Sequence, residues 1–204
     1  MNFTVFYEQE GYRIDLPKLM GRNVAGASFL QGLFRHARSP QFSCLTGNES
    51  GGVAFRNLIP SLRTDGASET ILLPRLRELS RTGGLFYPGP SVAQSAFQRV
   101  SASNSADSWS LCGITHTTSS AGAMDSIADW ITSPVQPWDA VICTSTAVKK
   151  NVEVILQTQV DSLKERLGIT KLVLPQLPVI PLGVHTEDFS YTPEQRIKAR
   201  AVLG

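Results

Sequence analysis

The chain has 204 residues, which suits one large domain or two small ones at ~100–200 residues each. A hydrophobic share of 42% supports a real core and excludes a disordered tail, and with only 18% charged residues the surface must lean on Ser, Thr, Asn and Gln. The 19 basic and 17 acidic side chains leave +2, too balanced a charge for a nucleic-acid partner held by counterion release.

No apolar run approaches the ~20 residues that span a bilayer, and the first residues lack a signal-peptide layout. Cys44, Cys112 and Cys143 are far apart, odd in number and each set in an apolar run, so buried reduced thiols are expected and no metal site. The expectation is a globular chain of the cytoplasm, at most peripheral to the inner membrane.

Short apolar runs alternate with helical stripes. Residues 3–7 read as a strand, followed by an irregular stretch through Met20. Residues 24–37 read as a helix, with Ala27, Leu30, Phe34 and Ala37 at three- and four-residue spacing. Residues 41–46 form the next strand, 53–59 a weaker helix, and 70–73 a third strand running into a helix with Pro74 in its first turn. A short strand over 84–87 and a helix over 92–100 follow.

The second half has strands at 110–115, 140–143 and 177–182. Between the first two, Met124, Ile127, Ala128 and Ile131 give a helix its apolar face. Ser145 caps a long helix striped by Val148, Val152, Ile155, Leu156, Val160, Leu163 and Leu167, and Gly168 closes it. Strands separated by helices of this length predict a doubly wound α/β domain, with a mainly parallel sheet covered on both faces. At the end, Thr192, Pro193 and Gln195 spell a capping box with Pro at the first helical position. That helix is either packed on its own sheet or the start of a further unit.

Several chemistries drop out. There is no G-x-S-x-G, no H-E-x-x-H, no paired Cys, and no G-x-G-x-x-G after the first strand. Residues 21–28 imitate a P-loop but place Ala27 where its lysine belongs, leaving a Gly-led helix start of generic anion-binding type. Gly21 is a turn glycine or the edge of such a site. His116 is sharper. It stands where a parallel strand ends and the polar loop Thr117-Thr118-Ser119-Ser120 begins, the crevice where open α/β sheets bind ligands. Imidazole suits proton exchange with a hydroxyl near neutral pH, and the neighbouring hydroxyls suit a sugar or polyol. The alternative is a loop histidine beside the next helix. His36 and His185 read as structural.

Pro181-Leu182-Gly183-Val184-His185-Thr186-Glu187-Asp188-Phe189 resembles the interdomain segment of group 1 glycosyltransferases (family 4, GT-B fold), P-x-G-V-D-x-x-x-F. Residues 139–145 resemble that family's strand ending in a helix-capping serine, 113–118 its strand-end histidine motif, and 21–33 its first Gly loop and helix.

The resemblance implies the N-terminal, acceptor-side Rossmann-like domain of a retaining transferase that uses a nucleotide sugar as donor substrate, with no metal and no further cofactor. Residues 1–190 would be that domain. Residues 191–204 would be an interdomain helix leading to a donor-binding domain outside this chain, without which the chain would be inactive. Carried over by position, His116 is catalytic, Gly21 and Arg22 bind the donor phosphates, and Asn23, Thr117 and Thr118 face a hydroxyl acceptor. The first loop reads Gly-Arg-Asn rather than Gly-Gly, and His185 replaces an aspartate. The competing functions are a nucleotide- or sugar-binding module without catalysis, and half of a nucleotide-sugar hydrolase or epimerase.

Overall fold

The computed structural model describes residues 3–203. Six strands form one parallel sheet: β1 (Thr4–Phe6), β2 (Gln41–Thr46), β3 (Ala67–Leu72), β4 (Gly84–Phe86), β5 (Ser110–Thr115) and β6 (Ala140–Cys143). Their order is β3-β2-β1-β4-β5-β6, so the chain winds outward from β1 to one edge and from β4 to the other. Right-handed crossovers then send the helices of each half to opposite faces, and the switch point lies between β1 and β4. This is the doubly wound, Rossmann-like α/β fold that the sequence predicts.

One face carries α1 (Gln9–Tyr12), α2 (Gly21–His36) and α3 (Glu49–Leu58), packed around Val5, Tyr7, Leu30, Phe34, Phe42 and Phe55. The other carries α4 (Val92–Ser103), α5 (Ala121–Ala128) and α6 (Thr146–Leu167), around Leu85, Leu111, Ile127, Trp130, Val141 and Leu156. Helix α6 follows its sequence closely. Ser145 Oγ accepts from the Val148 N–H (3.1 Å), and Gly168 ends the helix at φ 63°, a left-handed position that glycine takes without a Cβ penalty.

Three expectations change. The stretch before Met20 contains α1, and α2 begins at Gly21 rather than Val24. Asn23 and Gly26 extend the buried stripe of α2 by one turn, because α1 lies against it. A Cβ on Gly26 would sit 3.1 Å from both the Gly11 carbonyl oxygen and the Tyr12 ring, so a larger residue there would push α1 and α2 apart by a few tenths of an ångström. The segment Leu73–Arg81 forms 3₁₀ turns broken at Arg75 (φ −110°, ψ 32°) instead of an α-helix.

The strand expected over 177–182 is not a full strand. Residues 176–180 run parallel to β6: Val141 N–H donates to the Gln176 carbonyl (2.8 Å), Cys143 N–H to that of Pro178 (2.8 Å), and Ile180 N–H to that of Cys143 (3.0 Å). Pro178 has no N–H to return, so the ladder shrinks to isolated bridges at Gln176 and Val179.

The capping box forms as read. Thr192 N–H donates to Gln195 Oε1 (2.8 Å) and Gln195 N–H to Thr192 Oγ1 (3.3 Å), opening α7 (Pro193–Leu203). Every residue of 191–203 is exposed. The three thiols are free, with Cys44 and Cys143 buried. Among the described residues no helix is long and apolar enough to cross a membrane.

Beneath β5 and β6 lies a buried ion pair. Arg99 of α4 and Asp139, both fully buried, form two bonds of 2.8 Å, Nη1 to Oδ1 and Nη2 to Oδ2. Asp139 also accepts from the backbone N–H groups of Leu111 and Gln136 (2.8 Å each), and Arg99 donates to the carbonyls of Trp109 (2.8 Å) and Pro134 (3.1 Å). Removing one member of such a pair leaves an unpaired buried charge. Asp139→Ala is therefore expected to lower the unfolding free energy by about 3–5 kcal/mol, read from denaturant melts. A loss below ~1 kcal/mol would mean that the pair does not hold these elements together.

Candidate functional site

At the C-terminal edge of the sheet, beside the switch point, lies a cleft of about 830 Å³. Its floor is made by Phe86 of β4, Ile114 of β5 and Ile142 of β6. One wall is α2 from Gly21 to His36, and the other is the extended segment 180–185. The helices on this face belong to the β1–β3 half of the chain, so β5 and β6 lie at its margin and their apolar side chains stay reachable. Phe29 stacks on Phe86 with centroids 4.4 Å apart, which fixes α2 against the strand end.

His116 follows β5 directly and lines this cleft. Its position is set from below. A Cβ on Gly113 would meet Val92 Cγ1 at 2.7 Å and the Gly89 carbonyl oxygen at 2.8 Å, so a glycine is required where α4 and its leading loop press on β5. Thr115 Oγ1 donates to the Ile142 carbonyl (3.0 Å) and Thr144 Oγ1 to that of Thr115 (3.2 Å), which ties the strand end to β6. His116 Nδ1 is shielded from solvent and has no hydrogen-bond partner among the described residues. Burial lowers the pKa of the ring from its ordinary 6.5, so the imidazole is neutral at pH 7.

Gly21 lines the same cleft as the first residue of α2. Met20, at the cap, has no side-chain bond to the helix, and no acid sits in its first turn. The Asn23 and Val24 N–H groups turn back to the Met20 carbonyl (2.9 and 3.4 Å). Those of Gly21 and Arg22 have no protein partner among the described residues, the arrangement that accepts an anion.

Arg22 is exposed, one residue beyond the cleft lining. Asn23 is only 1% exposed and lies behind the helix: its Nδ2 donates to the Glu10 carbonyl (2.7 Å), which joins α2 to α1. Thr117 Oγ1 shares a 3.3 Å bond with Ser119 Oγ, and Thr118 Oγ1 accepts from Asn151 Nδ2 (2.6 Å). Both threonines lie in the loop after His116, outside the lining itself.

His185 is part of the site wall, a role its linker-like sequence does not reveal. Its Nε2 is 2.8 Å from Ser28 Oγ, and two residues on, Glu187 pairs with Arg35 at 2.8 Å. Ser28 and Arg35 are seven apart, two turns of α2 on one face, so the helix and the segment 185–187 meet along a line. Tyr12 Oη, at the cleft margin, donates to the Phe6 carbonyl (2.8 Å), and burial raises its pKa far above the ordinary 10.

Comparison of the chain with models of known protein families, with curated proteins and with solved structures gives no match.

The neutral His116 makes stability depend on pH. Its folded pKa lies below 6.5, so the unfolded chain takes up a proton where the folded one does not. The contribution is complete above about pH 6.5 and is lost as pH falls through the folded-state value. His116→Gln should therefore flatten the acid limb of a Tm-against-pH curve below about pH 6.5, leaving its neutral plateau in place. An unchanged acid limb would show that the ring is not desolvated.

Proposed function

We propose that this chain is the acceptor-side domain of a retaining, nucleotide-sugar-dependent glycosyltransferase of GT-B type. The observation that carries the reading is the meeting of His116, a neutral and unpartnered strand-end histidine, with the uncapped start of α2 at Gly21 in one cleft. The resemblance of residues 21–33, 113–118, 139–145 and 181–189 to that family supplies the assignment of roles. In this reading His116 exchanges a hydrogen bond or proton with a hydroxyl beside the reacting sugar. The free N–H groups of Gly21 and Arg22, with the Arg22 guanidinium near them, meet the donor diphosphate. Thr117 and Thr118 flank the acceptor, and Asn23 acts through the placing of α2.

The donor half of the reaction belongs, in this proposal, to a second domain reached through α7, whose side chains are left exposed by residues 3–190. A second reading, a binding module without catalysis, is favoured by one specific observation: among the described residues no carboxylate lines the cleft.

Two measurements separate the readings. In the complete two-domain protein, His116→Ala should lower turnover by ~10²–10⁴ while shifting stability by little, since a strand-end residue with no hydrogen bond at Nδ1 holds few partners. Equal loss of stability and unchanged turnover would return His116 to a structural role. The chain 1–204 alone should unfold cooperatively and transfer no sugar from a panel of nucleotide sugars, because diphosphate stabilisation needs donors from both walls of a closed site. Efficient transfer by this chain alone would overturn the two-domain scheme.

A further inference from the structure

The lining of the cleft is chemically one-sided. Among the described residues no Asp, Glu, Asn, Gln, Lys or Arg side chain faces it. Its polar groups are few, and most already have partners. The Tyr12 hydroxyl is bonded to Phe6, and Ser28 and His185 are bonded to each other. His36 stands exposed at the rim, in the last turn of α2. That leaves His116, with one shielded nitrogen and no partner.

A sugar ring or a nucleobase drawn into such a space would lose water from every hydroxyl or ring nitrogen and recover almost none of those bonds. A hydrocarbon chain loses nothing of that kind. It also removes from water side chains that the fold leaves wet: Ile180 is 51% exposed, Leu182 52% and Val184 69%. The volume of about 830 Å³ lies within the ~300–1,000 Å³ of small-molecule pockets.

We propose that the cleft holds the hydrocarbon tail of an amphipathic ligand whose hydroxyl-bearing head sits at His116. This rests on the acceptor-side reading above and names its acceptor class: a sugar or polyol carried on an alkyl-type chain. The tail lies between α2 and the segment 180–184, over Ile114 and Ile142. The His185–Ser28 bond holds the two walls at the spacing the chain occupies. The donor diphosphate sits at the mouth of the cleft, at the start of α2, where free N–H groups and Arg22 are found.

Tail binding can be measured without any transfer. The chain is titrated calorimetrically with alkyl glucosides from butyl to octyl, each below its micelle-forming concentration. Affinity should rise roughly fourfold for each added methylene, with one ligand bound per chain. Gly32 lines the cleft, and a Cβ there meets nothing within 4 Å, so Gly32→Phe roots a ring at the cleft wall without a clash at its Cβ. That variant should remove the chain-length dependence.

Leu182→Asn, at a half-exposed wall position that tolerates polarity, should weaken octyl more than butyl glucoside and serves if Gly32→Phe does not fold. His116→Ala should weaken every member by a similar factor, roughly two- to tenfold, and leave the slope intact. A flat series in the wild-type chain overturns the proposal, as does an undiminished slope in a folded Gly32→Phe or Leu182→Asn protein, since the tail then binds elsewhere. A normal slope in the chain, beside a complete two-domain protein that transfers no sugar, supports the tail site while removing the transferase reading, so the two fail separately.

Discussion

The cleft edge of the sheet is tied to a contact at the opposite edge. The Asp139 carboxylate, directly before β6, is held by the Arg99 fork and by the N–H of Leu111 near the start of β5. Strand register is a matter of whole residues, and a slip of one turns every side chain to the other face. By joining the lower ends of β5 and β6 through one charged group, the pair sets which residues reach their upper ends. His116 faces the cleft, with Ile114 below it, because Leu111 is pinned two residues behind Gly113. A buried ion pair is poor evidence of net stability, and what this one holds is the relation of β5 to β6 at their lower ends.

The sheet was legible because its strands are short apolar runs bounded by Gly, Pro or polar residues, and the helices after β6 announce themselves by the caps Ser145 and Thr192. The departures share one cause. Helix α1, the 3₁₀ turns after β3 and the proline-broken segment beside β6 take their form from neighbours rather than from their own periodicity. Prolines at 175, 178 and 181 mark that last segment, and a run written over them reads as a strand only if the missing N–H groups are overlooked. Arg99 was legible in principle: it follows Val92 and Ala96 on the buried stripe of α4, where an arginine needs a partner.

The site was half legible. His116 and Gly21 are found by rules of position, strand end and helix start, which operate within a single βα unit. The wall formed by 180–185 and the His185–Ser28 bond join residues 157 apart, and no local pattern announces such a pairing. Asn23 shows the converse. Beside Gly21 in sequence, it points the other way around α2, because successive helical residues are turned by about 100°. Adjacency to a site residue on a helix is a weak guide to facing the same space.

The prolines beside β6 have a further consequence, for association between copies of the chain. A sheet can lengthen from molecule to molecule only if both of its outer strands offer free backbone groups. Here one outer side is the irregular segment 176–180, whose even residues face β6 and whose outward N–H groups are those of Leu177 and Val179, while the other side is β3, with Glu69 on it paired to Arg81. Prolines at 175, 178 and 181 keep that segment from forming a full strand. Edge pairing between copies is therefore favoured through β3, and the same residues that shape the wall of the cleft weaken the second edge from which a sheet could lengthen.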